Sequence, residues 1–392
     1  MLPPERVTAT HEIKPHDCRR CGGLLTGDDA APQRHQVVDV PRMVATAVEY
    51  RLHSLRCDRC CITTQAVLPN GVPATLLGPR LQAIVGVSSG AFRMSKRMIE
   101  EMVANFFGAD ISLGTVAKTE QIVSEALAGP VAEVVEAIRD EVVVNADETS
   151  WRVRMKKAWL WMAATTKVAV FLIRKSRGGD VARELLGANF SGTLVSDRWG
   201  GYLWIGNNQR QICWSHLKRD FKSFLDYGTE AKRIGERLLA AGRKLFAELN
   251  RYRDDLITPS TLRNHVRPFQ REIEALLEEG RLCPSKKVAG MCKEILKLRG
   301  SMWTFLRRPF VEPTNNHGER VLRHAVVWRK SSLGTDSEAG SRFVERVLTT
   351  VQTLRLQQRN VLEYVAAACA AKLDGHRAPS LLPTSQMIAA AA

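Results

Sequence analysis

Glu141-Val-Val-Val-Asn-Ala-Asp147-Glu-Thr-Ser-Trp151 is a β-branched run that delivers an Asp at its end. A second short run, Gly192-Thr-Leu-Val-Ser-Asp197-Arg-Trp-Gly-Gly-Tyr202, also ends in an Asp and then meets a glycine turn. That is how a carboxylate is placed at the exposed carboxyl end of a strand. Far downstream comes Pro313-Thr-Asn-Asn-His-Gly-Glu319-Arg320, where Asn315 or Asn316 can cap a helix that carries Glu319. Three carboxylates so widely separated share a site only if the fold brings two strand ends and one helix together. Hard oxygen ligands in that arrangement suit Mg²⁺ or Mn²⁺, and two such ions make a phosphoryl-transfer centre. Glu148, next to Asp147, remains an alternative ligand.

The elements around these runs alternate. A helix over 130–140 leads into the first strand, and the segments 157–164 and 167–173 read as the next two strands of an antiparallel meander. A helix over 179–186 crosses to the strand ending at Asp197, and a last strand, 211–214, runs into a helix over 215–221. Residues from about 228 to 310 then read as helices alone, with Ile234, Leu238, Leu245 and Leu249 on one apolar face and Val288, Met291, Ile295, Leu298 and Met302 on another. Cys213 and His216 form a C-x-x-H pair, which lacks two of the ligands a zinc site needs. By periodicity the class is α/β.

The motifs A-D-E-T-S-W, V-S-D-R-W-G-G-Y, C-W-S-H-L-K-R and N-N-H-G-E-R follow one another in an order that resembles the bacterial transposases of insertion sequence family 66. The resemblance implies a DDE catalytic domain with an RNase H-like mixed sheet and an all-α insertion before the last carboxylate. It also implies that Asp147, Asp197 and Glu319 hold Mg²⁺ (or Mn²⁺), with His216 and Arg219 beside the second Asp. The implied function is metal-dependent cleavage of the ends of a mobile element and strand transfer into target DNA. Accessory transposition proteins and a homo-oligomer assembled on DNA belong to the same expectation. Relatives often carry Ala where this chain has Gly318, and Gly in a helix costs on the order of 1 kcal/mol relative to Ala.

Composition agrees with a polyanionic partner. The 392 residues, 45% of them apolar, suffice for at least two cores, and 57 Lys plus Arg against 41 Asp plus Glu leave a formal charge of +16. Arg320, Arg323, Arg329 and Lys330 follow Glu319 as a basic stretch, and a loop from Ser331 to Asp336 comes after it. Arg219, Arg320, Arg323 and Lys330 are therefore candidate DNA contacts. No secretory leader is read at the amino end and no apolar run is long enough to span a bilayer, so a cytoplasmic, nucleoid-associated protein is expected.

Cys18-Arg-Arg-Cys21 and Cys57-Asp-Arg-Cys60 are two C-x-x-C knuckles that together can close a tetrahedral Zn²⁺ site. The segments 34–40 and 44–52, divided by Pro41, read as strands of a zinc ribbon between them. From Pro79 the period turns helical, with Ser95 and Ser112 as N-caps and Gly108 as a stop, the outline of a helix-turn-helix. Leu113, Thr115 and Lys118 would lie near the exposed start of the third helix, and a DNA reader and a structural linker both stay open. The expected organisation is a zinc ribbon over 1–70, a helical region over 71–135, a catalytic domain over 136–360 with its insertion at about 228–310, and a C-terminal tail over 361–392, Ala-rich and fraying from 366 to 392. A zinc-containing DNA-binding regulator without catalysis and a stand-alone nuclease are the rival functions.

Overall fold

The fold is known from a computed structural model that describes residues 1–383. The second knuckle sits on a hairpin of β1 (Ser54–Arg56) and β2 (Thr63–Gln65), paired antiparallel with Arg56 opposite Thr63. The first is closed by the Cys18 N–H donating to Gly23 O and the Gly22 N–H donating to Cys18 O, each at 2.9 Å. The strands expected at 34–40 and 44–52 are absent: both segments are unpaired coil, and Val37, Val38, Val40, Val44 and Val48 face solvent. A period-2 pattern becomes a strand only where a neighbouring strand takes its backbone groups and one face has something to cover. Here the ladder forms outside the predicted pair, immediately around the second knuckle.

Three helices follow: α1 (Pro79–Gly90), α2 (Lys96–Phe107) and α3 (Leu113–Ala126). Their ends are where the caps put them. Ser95 Oγ accepts from Met98 N, Ser112 Oγ accepts from Thr115 N, and Gly108 takes the left-handed conformation that ends α2. They share a small core of Leu77, Val85, Ile99, Val103, Ile111 and Val116. The boundary expected near residue 135 does not separate cores, because α1 is buried on both sides. Its Ala83 and Val87, with the capping Ala91, join Val123 and Ala126 of α3 in the main core. Gly90 lets α1 approach so closely that a Cβ there would stand 2.2 Å from Val347 Cγ2.

After α4 (Ala128–Arg139) comes a five-stranded mixed sheet in the order β5-β4-β3-β6-β7. Its strands are β3 (Val143–Val153), β4 (Lys156–Ala164), β5 (Ala169–Arg174), β6 (Thr193–Ser196) and β7 (Arg210–Ile212), with α5 (Gly179–Leu186) crossing between β5 and β6. β4 lies antiparallel to both β3 and β5, while β3, β6 and β7 run parallel. The β3–β4 turn has Arg154 and Met155 both at positive φ, the geometry that suits the twist of a two-residue hairpin.

α6 (Trp214–Ser223) leads to α7 (Thr229–Arg253), α8 (Pro259–Gly280), α9 (Lys286–Lys297) and α10 (Arg299–Met302), which build a second core around Trp214, Phe221, Phe224 and Trp303. The chain then returns to the sheet as α11 (Asn316–Ser332), α12 (Glu338–Leu356) and α13 (Val361–Leu373). Edge strand β5 is covered by α12. Glu345, Thr349 and Thr353, spaced four apart, accept from the backbone N–H groups of Ile173, Phe171 and Ala169 at 2.6, 3.0 and 3.0 Å.

The tail is not frayed where it is described. α13 packs Tyr364, Val365, Ala368 and Cys369 into the main core, and Leu381 is fully buried. Alanine is the best helix former and its small side chain permits close helix contact, so the Ala-rich composition favours a packed helix once α1 is beside it. The rest of the expected tail, 384–392, lies outside the described residues. Among the described residues, no helix is long and apolar enough to cross a membrane.

Candidate active site

The position of Asp147 follows from register. Parallel pairing of β3 with β6 ends at Asn145 opposite Val195, so the same register continued by two residues sets Asp147 beside Asp197. Asp147 is not at the end of its strand, as the sequence suggested. β3 continues to Val153 because β4 stays paired with it from Asn145 onward. The parallel partner stops short, and there the carboxylate is freed. Asp197 directly follows β6, and its Oδ1 accepts from Trp199 N at 2.8 Å, which fixes the turn toward the paired glycines.

Glu319 reaches the same place from α11. Asn315 occupies the N-cap position, but its side chain does not cap the helix, contrary to expectation. Instead its Nδ2 donates to Ala146 O at 2.9 Å, and its Oδ1 accepts from Asn145 Nδ2 at 2.8 Å. The Asn315 N–H donates to Cys213 Sγ at 3.1 Å. The start of α11 is thereby fastened to the residues just before Asp147 and to the end of β7. Gly318 belongs to this joint, since a Cβ there would lie 2.7 Å from Asn315 Oδ1 and 3.2 Å from Asn145 Cβ. The helix begins in spite of its glycine.

Burial and neighbouring carboxylates shape the electrostatics. Asp147 is pushed up to about 7, first by burial, then by Glu148, Asp197 and Glu319, against an opposing hydrogen bond from the Glu148 N–H. A carboxylate raised by burial and by neighbouring carboxylates fits a cation, which would relieve the repulsion. His216 approaches Glu319 Oε1 with its Nδ1 at 3.5 Å, and Arg219 with a guanidinium nitrogen at 3.6 Å. Arg219 also donates to His216 Nε2 at 2.7 Å. Burial and then Arg219 hold His216 below its usual range. Cys213, His216 and Glu319 offer ligand atoms all within 4.8 Å of one another, so the C-x-x-H pair gains one carboxylate through the fold.

The contacts of several residues that structure this site escaped the sequence reading. Glu148 is not a free alternative ligand: its Oε1 accepts two bonds from Arg177 at 2.9 and 2.6 Å, and its Oε2 accepts from the Tyr202 hydroxyl at 3.0 Å. Arg177 in turn stacks on Trp199, 3.7 Å from the ring centroid. Arg210 is wholly buried and donates to Asp197 O at 2.7 Å and Trp199 O at 3.1 Å, pinning the backbone on which Asp197 rides. Burial pulls it down to about 10. The signal available in the sequence was local, since Glu148, Tyr202 and Arg210 all lie within or beside the two acidic motifs. Their mutual contacts are long-range.

Lys118, Arg219, Arg320, Arg323 and Lys330 carry side chains at the protein surface, as a role in DNA contact requires. Arg329 turns inward, bonding Thr149 Oγ1 at 2.9 Å and the Ser150 hydroxyl. The loop after α11 docks on the β3 hairpin, where the Thr335 and Arg154 N–H groups pair with Arg152 O and Thr335 O. In each cysteine knuckle, backbone N–H groups bond the first thiol and lower it, Arg20 and Cys21 acting on Cys18, and Cys60 and Arg59 on Cys57. Each knuckle thus suits a metal-bound thiolate. Among the described residues no third ligand joins either pair within 4.8 Å, so the four thiols of Cys18, Cys21, Cys57 and Cys60 stand as two halves.

A family profile described as transposase IS66 family matches residues 74–342. Two uncharacterised proteins of Sinorhizobium fredii, y4qI and y4hP, are each 24% identical to this chain over 402 aligned residues, covering 92% of this chain and 71% of their own length.

Proposed function

The chain belongs to the IS66 transposase family, and from that premise we propose that Asp147, Asp197 and Glu319 form the metal-binding centre of a DNA-cleaving and DNA-joining active site. The observation that carries this reading is the β3–β6 register, which sets Asp147 beside Asp197 with Glu319 close enough to raise Asp147 electrostatically. The sheet order and the helical insertion before Glu319 support an RNase H-like domain of the DDE type. Mg²⁺ or Mn²⁺ ions held there would supply Lewis acidity for phosphoryl transfer. Asn315 and Arg210 keep the carboxylates in place, and Arg219 stands over Glu319 ready to meet a phosphate oxygen. His216, held neutral by burial and Arg219, can accept or orient a proton near Glu319. Arg320, Arg323, Lys330 and Lys118 extend a basic surface for the DNA backbone.

Recognition of the element's ends is assigned to residues before about 135, with Zn²⁺ closing the two knuckles into one folded unit. The test is direct. Asp147→Ala, Asp197→Ala and Glu319→Ala should bind DNA carrying the element's terminal repeats about as well as the parent in Mg²⁺, yet neither nick nor join it. A folded single variant with near-parental cleavage shows that its residue is not a ligand. A parent that binds those ends without cleaving them in Mg²⁺ or Mn²⁺ is a regulator, and one that cleaves without joining is a nuclease.

A further inference from the structure

The loop between α1 and α2, the middle of α11 and the last turn of α12 bring two arginines and a histidine together. Arg93 and Arg355 each point a terminal guanidinium nitrogen at the same ring atom, His324 Nδ1, at 3.4 and 3.2 Å. One imidazole nitrogen has one lone pair, and a neutral ring brings no negative charge. Both guanidinium charges are therefore left without a counter-charge, and neither arginine forms an ion pair with a carboxylate among the described residues. Arg355 and His324 are each lowered, by burial first and then by the neighbouring cations. Arg93 is held in the left-handed region at φ 60°, and Phe92 beside it is 61% exposed. Two guanidinium groups gathered from separate elements around one uncharged imidazole mark a site suited to an anion. An arginine at a helix carboxyl end is favourable on its own, for Arg355 in the last turn of α12 and for Arg93 just past the end of α1, but this does not account for both guanidinium groups pointing at one imidazole nitrogen.

We infer that Arg93, His324 and Arg355 form a clamp for a single phosphodiester group of the DNA strand engaged by the active site. The inference rests on the proposed function for the identity of the anion. Guanidinium forks match phosphate oxygens in a bidentate way, and His324 adds a ring N–H once the anion displaces the arginines from it. Placement supports a backbone contact. Arg320 lies one turn before His324 on the same face of α11, and Glu319 precedes His324 by five residues. That separation is about 7.5 Å along the helix but about 140° around it, so the two side chains face different ways. The clamp would hold a backbone phosphate apart from the reacting one, where the catalytic sheet meets the helices that precede it.

The test measures affinity of the full-length protein for a 30-base-pair duplex of arbitrary sequence (about three helical turns at ~3.4 Å per step) across a range of salt concentrations. Arg93→Gln/Arg355→Gln should flatten the slope of log K against log salt by about 0.9, the loss of one phosphate contact. Arg93→Lys/Arg355→Lys should recover most of it. Arg281→Gln, on the insertion and paired with Glu278, should leave the slope unchanged. Without DNA, the double Gln variant should melt at or above the parent's temperature, because a repulsion has been removed. Equal slopes for the parent and a folded double Gln variant overturn the clamp, as does binding of inorganic phosphate at this site with an unaltered DNA slope. Asp197→Ala serves as the separate control: absent cleavage with a parental slope tests the active site alone, and a parent that never cleaves leaves the slope comparison intact.

Discussion

Asn145 Nδ2 donates to Asn315 Oδ1 at 2.8 Å in the interior, one of two bonds by which the Asn315 side chain ties the strand of Asp147 to the helix of Glu319. The two residues are 170 positions apart. Asn315→Ala would strand Ala146 O and the Asn145 amide without partners, at a cost of about 1–3 kcal/mol for each buried polar group so exposed. Gly318→Ala should also destabilise the protein, although Ala is the better helix former by about 1 kcal/mol. Its Cβ would meet Asn315 Oδ1 at 2.7 Å. Denaturant unfolding of both variants checks this, and an unaltered or raised midpoint for Gly318→Ala would show that the joint is loose.

Glu148→Ala should damage the fold rather than leave it untouched. The carboxylate is 1% exposed and satisfies Arg177 and Tyr202 together. Removing one partner of a fully buried pair costs about 3–5 kcal/mol. Arg177 is partly exposed, so solvent screening reduces this to about 2–3 kcal/mol. A thermal midpoint equal to the parent's would show that the network contributes little. Glu148→Gln, which keeps the shape and one acceptor, should lie between the two.

Asp147 makes stability depend on pH in a definite direction. Its folded value, about 7, lies above the ordinary carboxylate value of 3.8. Between those limits the folded state binds more protons than the unfolded one, so stability falls as pH rises from about 4 to about 7 and stays reduced above. Asp147→Asn removes that loss. The variant should gain thermal stability over the metal-free parent at pH 8 and show a smaller gain, or none, at pH 5. Mg²⁺ should narrow the difference at pH 8 by stabilising the parent's carboxylate. A pH-independent difference between the two proteins would mean that Asp147 titrates normally.

The knuckles yield a prediction about metal content. The purified protein should carry one Zn²⁺ per chain (about four thiolates to an ion), and Cys18→Ser/Cys57→Ser should lose it. Full zinc in the double variant, or none in the parent, would remove Cys18, Cys21, Cys57 and Cys60 as a site. Binding of Zn²⁺ should also protect backbone amides across residues 54–65 from exchange, since the β1–β2 hairpin carries half the ligands.

Local chemistry made much of this protein legible from its sequence. Ser95, Ser112 and Gly108 mark helix ends by hydrogen bonds that span only three or four residues, and the three acidic motifs are each contiguous. Periodicity marks the α/β class and the helical insertion, and the family resemblance carried by the order of the motifs implies the mixed sheet. Tertiary structure decided the rest, because it concerns which distant groups meet. The sequence places Asp147 at the end of a run, but only pairing with β4 on one side and β6 on the other shows that the strand continues and that its parallel neighbour stops. Asn315 carries a capping residue's chemistry, yet the closer offer from Ala146 and Asn145 takes its side chain. The alternating pattern at 34–52 finds no neighbouring strand and stays coil, whereas the Ala-rich segment after residue 360 finds α1 and packs as a helix. Arg93, His324 and Arg355 show no motif at all, since their relationship exists only where three elements converge.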